Sequence, residues 1–132
     1  MGPLDPNQLQ RAQVSQFGVI PKAGQLNKWR LIVDLSSPRE HSVNDGINKG
    51  LCSLKYASVE NAVQRIWSMG KHELLAKIDI QHAYRNIPVH EEDRLLLVMQ
   101  WQEKFYMDII LPFGLRSAPK IFSAVVDAII VE

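Results

Sequence analysis

Three features of the sequence predict an α+β fold. Short β-rich runs occur in pairs around polar stretches, helical stripes stand apart from those pairs, and no single strands alternate regularly with single helices. Paired runs of this kind read as hairpins. Helices segregated from them favour α+β over a parallel doubly wound sheet.

The first 16 residues are polar and weakly patterned, and we set them apart as a segment 1–16 preceding a domain over 17–132. Asp5-Pro6 has the chemistry to open a short helix through Val14, because Asp caps well and Pro suits the first helical position. Phe17 to Ile20 and Trp29 to Val33 are β-rich, and the basic, Gly-bearing stretch 21–28 between them predicts a hairpin tip. Residues 34–57, rich in Ser, Asn and Gly, read as a long connection, and connections of that length are often functional.

Ser58 is placed to cap a helix running to about Met69, with Val59, Ala62, Val63, Ile66 and Trp67 on one stripe and Gly70 to end it. The apolar run Leu74 to Ile80 predicts a strand buried on at least one face. Leu95 to Trp101 and Phe105 to Leu111 predict a second hairpin around Gln102-Glu103-Lys104. After the breaker-rich Leu111-Pro112-Phe113-Gly114-Leu115, Ser117 and Pro119 start an apolar helix toward Ile130 and Val131.

Composition narrows the function. In 132 residues, 46% are hydrophobic and 22% charged, which suits one domain of modest core and argues against wholesale disorder. Fifteen basic residues against fourteen acidic ones give a net charge of +1. A freestanding DNA-binding domain carries a clear basic excess, so any nucleic-acid contact must rest on local patches. Cys52 is the single cysteine, which excludes an intrachain disulfide and fits an intracellular setting, cytoplasmic or nuclear, better than a secreted one. The start shows no signal or transit pattern, Gly2 completes no myristoylation motif, and no apolar run approaches the roughly 20 residues that cross a bilayer. We expect no membrane association.

Three segments carry chemistry. They are Lys22 with Lys28-Trp29-Arg30-Leu31-Ile32-Val33-Asp34, then Lys77-Ile78-Asp79-Ile80-Gln81-His82-Ala83-Tyr84, then Leu111 through Phe122. In this order and spacing they resemble the fingers motif, motif A and motif B of reverse transcriptases. Leu35-Ser36-Ser37-Pro38 and Val43-Asn44-Asp45-Gly46 look most like tyrosine-recombinase (DIRS-type) retrotransposons, with gypsy-type elements a near second. The resemblance spans roughly residues 17 to 128. It implies a partial right-hand polymerase, fingers plus the first half of the palm. It also implies an RNA-directed DNA polymerase as parent, using magnesium, dNTPs and a template–primer duplex.

By that resemblance Asp79 is the catalytic metal ligand, aided by the backbone carbonyl of Ile80. Nucleotidyl transfer uses two hard divalent ions, for which oxygen donors at a strand end are suited. Taken alone, the segment better fits an Asp that merely caps a turn after a strand, and the other two motifs reverse that preference. Tyr84 is similar to the aromatic that packs beneath the incoming sugar and rejects a 2′-hydroxyl; its other reading is a half-buried packing Tyr. Lys22 and Arg30 resemble the fingers residues that hold the triphosphate, as point charge and planar fork respectively. A solvated basic face is the alternative, and Lys22 and Lys28 are not ranked. Phe113 and Gly114 resemble the bend lying against the incoming base and template nucleotide. Retroviral enzymes carry Gln where Phe113 stands, so no polar contact is implied there.

Tyr106-Met107-Asp108-Ile109 imitates the family's Tyr-x-Asp-Asp box but precedes motif B instead of following it. Strand alternation puts Asp108 toward solvent. His41, His72, His82 and His90 show no zinc-ligand spacing. No Asp-Asp pair occurs in the sequence. We therefore expect a domain that stops before motif C and the thumb, completed by the rest of a parent polyprotein and inactive by itself. A non-catalytic nucleic-acid-binding remnant or an inert one are the alternatives.

Overall fold

In the computed structural model, which describes residues 4–130, Asp5 caps a single helical turn, Pro6–Leu9 (α1), through Asn7 N–H. The readings of Gly2, and of Val131 and Glu132 at the helix end, fall outside those residues. The helix expected to reach Val14 stops at Leu9 because Val14 is drawn into a strand. That strand, Val14–Pro21 (β1), pairs antiparallel with Trp29–Asp34 (β2) in the register Gln16↔Asp34 to Pro21↔Trp29. Lys22 N–H donates to the Lys28 carbonyl at 2.8 Å and closes the tip. The predicted hairpin is therefore present, with a longer first strand. Its extension has a distant cause: Val14 and Ser15 lie parallel to Val98 and Met99.

Val98–Trp101 (β3) and Lys104–Met107 (β4) form the second hairpin, turning on Gln102 and Glu103, both at positive φ (46° and 62°). Two such residues give the turn whose twist matches that of the flanking strands. The four-stranded sheet runs β2-β1-β3-β4. Both β3 and β4 are shorter than predicted. Glu91–Leu96 coils into a 3₁₀ helix ahead of β3, and after Met107 the chain leaves the sheet to pair residues 109–111 with 87–89.

Leu35, Val89 and Leu97 make a small core, with Val33, Val43 and Leu115 packed against it. It lies where the end of β2, the long connection and the loop after β4 converge. Val59–Met69 (α2) has the predicted ends: Ser58 and Asn61 cap each other reciprocally, and Gly70 leaves the helix at φ 98°. Its apolar stripe, including Val63, Ile66 and Trp67, is exposed. Ala118–Ile130 (α3) begins one residue before Pro119, with the Ser117 carbonyl accepting from Ile121 N–H. Among the described helices none is long and apolar enough to cross a membrane.

One predicted strand is absent. Residues 74–80 lie outside the sheet and are exposed throughout. An apolar run becomes a strand only when a neighbour satisfies its main-chain groups, and none of the described strands lies beside this one.

Candidate active site

The loop that precedes α3 is fixed by a residue far away in sequence. Asn44, in the long connection, is 4% exposed and has its whole amide engaged. Its Nδ2 donates to Ser36 Oγ and to the Gly114 carbonyl, both at 2.9 Å, and its Oδ1 accepts from Arg116 N–H at 2.7 Å. The Arg116 guanidinium donates back to the carbonyls of Asn44 and Ile47. A buried amide with all its partners in place holds its neighbours in one arrangement. Here those neighbours are the two sides of the Phe113–Arg116 bend. Gly114 takes φ 90°, a region that costs other residues, and a Cβ there would meet the Val33 carbonyl at 3.5 Å. The bend thus lies against the end of β2.

Next to Asn44, the Asp45 carboxyl is held below its ordinary pKa chiefly by the Ser42 hydroxyl, which donates to it at 2.6 Å. Desolvation opposes this, while the Ser42 and Glu40 main-chain N–H groups and the charge of Arg116 add to it in turn. A hydrogen bond to the charged form favours it. In the sequence, Val43-Asn44-Asp45-Gly46 shows only a family resemblance. The one local signal for its role was an Asn in a polar connection of unusual length.

Tyr84 and Phe113, singled out separately, meet in space. Their ring centroids are 5.2 Å apart, tilted by 47°, and Phe122 of α3 meets the Tyr84 ring edge-on at 5.3 Å. Both geometries are favourable for aromatic pairs. Tyr84 rides on the 3₁₀ turn Ala83–Asn86, which follows Asp79 and Ile80 after a sharp change of direction at His82, φ 61°. Phe113 is exposed on its outer side, so the cluster has one open aromatic face.

Asp79 is exposed and lies four residues before the start of that turn. The Ile80 carbonyl accepts from Ala83 N–H at 3.3 Å, leaving one lone pair free. A carboxylate followed by a main-chain carbonyl is a donor pair suited to a hard divalent ion, and it amounts to one ion's partial shell. Among the described residues no three His, Cys, Asp or Glu side chains gather to hold a metal, at Asp79 or away from it. Lys22 stands at the hairpin tip and Arg30 on β2 opposite Ile20; both are exposed. Among the described residues no ion pair joins them to Asp79.

Asp108 corrects an expectation. Instead of facing solvent it is 3% exposed and accepts from Arg85 Nη1 at 3.0 Å, while its N–H donates to the Leu97 carbonyl. It lies just past β4, where the strand has left the sheet, so alternation no longer governs its direction. A cavity of about 440 Å³ opens nearby between the long connection and α3, lined largely by Val43, Ile47, Leu97, Leu111, Leu115 and Ile121. None of the predicted site residues lines it.

Two hairpins thus share one sheet, and an aromatic cluster lies between the segment carrying Asp79 and a glycine bend. The crystal structure of the native prototype foamy virus protease-reverse transcriptase superposes with a TM-score of 0.51 at 17% identity, covering 99% of this chain and 19% of that one. No curated protein sequence matches. The family model described as reverse transcriptase (RNA-dependent DNA polymerase) matches residues 20–132, and the chain belongs to that family.

Proposed function

We propose that this chain is the fingers and first half of the palm of a retrotransposon RNA-directed DNA polymerase. Its substrate is a dNTP, its partner is an RNA or DNA template–primer duplex, and the retrotransposon is most similar to DIRS-type or gypsy-type elements. What carries the reading is the meeting of Tyr84 with Phe113, which joins motif A to motif B across the primary sequence. Two sequence segments chosen for one substrate share a contact, as that assignment requires.

Each residue then has a task its chemistry suits. Lys22 and Arg30, exposed on the hairpin, hold the triphosphate; an Arg fork fits phosphate oxygens in pairs, and Lys adds a mobile charge. Tyr84 packs beneath the sugar. Phe113 and Gly114 border the base, and the missing Cβ at Gly114 allows a close backbone approach. Asp79 and the Ile80 carbonyl would hold magnesium, which when bound neutralises charge on the phosphates and lowers the pKa of the attacking hydroxyl. One carboxylate does not supply two ions with ligands, so we expect the 132-residue chain alone to incorporate no dNTP.

The test is primer extension with a longer polymerase that carries this segment intact. Asp79→Asn is expected to abolish incorporation while leaving the thermal melt in place. Full activity in that variant would remove Asp79 from the mechanism.

A further inference from the structure

Tyr84 sits on a turn whose shape is local but whose placement is not. Asn86 Nδ2 donates to the carbonyls of Gln81 (2.8 Å) and Ala83 (3.2 Å), and these bonds fold the turn on itself. They do not determine where the turn lies on the body of the protein. The neighbouring residue does. Arg85 reaches across 23 positions to the buried Asp108 carboxylate at 3.0 Å. Just beyond that contact, Val89 N–H donates to the Ile109 carbonyl (2.9 Å) and Leu111 N–H to the Ile87 carbonyl (2.8 Å). The ion pair therefore anchors the turn at the head of a short two-stranded ladder. From there the chain runs on to Phe113, the ring that Tyr84 touches.

Asp108 has no large share of water to fall back on. Deprived of the guanidinium it becomes an uncompensated buried carboxylate, and such a group relaxes by moving toward water. That movement releases the turn. Tyr84 is one residue from Arg85, so a shift of the turn moves the Tyr84 ring relative to Phe113 and Phe122.

From this geometry we infer that Arg85 and Asp108 are a positioning pair that sets the placement of Tyr84 and, through it, the preference for deoxy- over ribonucleotides. The inference rests on the reading of Tyr84 as the sugar-contacting residue. Neither partner touches substrate. Their effect is on selectivity, because a misplaced ring changes the space left for a 2′-hydroxyl more than it changes triphosphate binding.

The experiment compares kcat/KM for a dNTP and the matching rNTP in a polymerase containing this segment, as Arg85→Met, Arg85→Lys, Asp108→Asn and Tyr84→Ala. Arg85→Met and Asp108→Asn are expected to lower the dNTP-to-rNTP ratio on the order of tenfold, since small misplacements of a positioned group have effects of that size or larger. Arg85→Lys, which retains the charge, is expected to preserve most of the ratio. If Arg85→Met does not fold, Asp108→Asn carries the test, because it keeps the side-chain size and removes the buried charge. An unchanged ratio in folded Asp108→Asn, with the ratio lost in Tyr84→Ala, overturns the positioning pair alone. Equal losses for both nucleotides would mean a structural role only and overturn it too. An unchanged ratio in Tyr84→Ala removes the sugar contact itself, and the inference with it.

Discussion

Arg116 donates its main-chain N–H to the side-chain oxygen of Asn44 at 2.7 Å, across 72 positions of sequence. This bond fastens the loop before α3 to the connection after β2. The Phe113–Arg116 bend is consequently held from the connection that follows β2.

Asn44→Ala removes three side-chain hydrogen bonds from a buried site and strands the Gly114 carbonyl and the Arg116 N–H. We expect a loss of about 3 kcal/mol, the scale of three hydrogen bonds lost from a buried side chain. A denaturant midpoint unchanged from the parent chain would show that the amide is dispensable.

Ser15 makes the opposite case. Its hydroxyl is 2% exposed in β1 and, among the described residues, has no hydrogen-bond partner. Ser15→Ala should therefore stabilise the chain, by about 1 kcal/mol, because it deletes an unpaired buried group and little else. Urea denaturation should show a higher midpoint with the same slope; a lower midpoint would mean that the hydroxyl is in fact satisfied.

Acid should loosen the Asn44 region through its neighbour. The Asp45 carboxyl is lowered from 3.8 in the folded chain, mainly by Ser42. A lowered folded value contributes stability that is present above the ordinary pKa and lost as pH falls through the folded one. Asp45→Asn should flatten the acid limb of a stability profile below about pH 4 while shifting it little in slope near neutrality. Glu60, lowered by its own N–H and by Ser58, will keep part of that limb. Superimposable acid limbs for the two proteins would dismiss the Asp45 contribution.

The apolar stripes of α2 and α3 are open in this chain, with Ile66, Trp67, Val125 and Ile129 among the exposed side chains. Surfaces of that kind drive association. Size-exclusion chromatography with light scattering should show the mass rising with protein concentration; a constant monomer mass would contradict this.

What the sequence made legible was local. The Ser58 cap and the Gly70 stop lie within a few residues of the helix they bound, and the structure has both; the answering bond from Ser58 N–H to Asn61 was not foreseen. The first hairpin was equally plain from its paired β-rich runs and basic tip. Asn44 was not, because its partners lie 8, 70 and 72 positions away and a single chain gives no sign of them. Asp108 misled for a related reason: alternation describes a strand in its sheet, and Arg85 meets it after the sheet has ended. The candidate site divides in the same way. Its residues followed from the resemblance of three motifs to a known family, but the contact between Tyr84 and Phe113 needed the fold.

Residues 74–79 have no main-chain partners among the described residues, and this has a consequence for the carboxylate at their end. Amides without partners trade their protons with water freely, so deuterium should enter this stretch as fast as it enters an unstructured peptide. A ligand gripping Asp79 would have to arrest that motion first, and its affinity would be reduced by the entropy of doing so. Rigid beta neighbours supplied from outside would relieve it of that task, and the slowing of deuterium uptake would record their arrival.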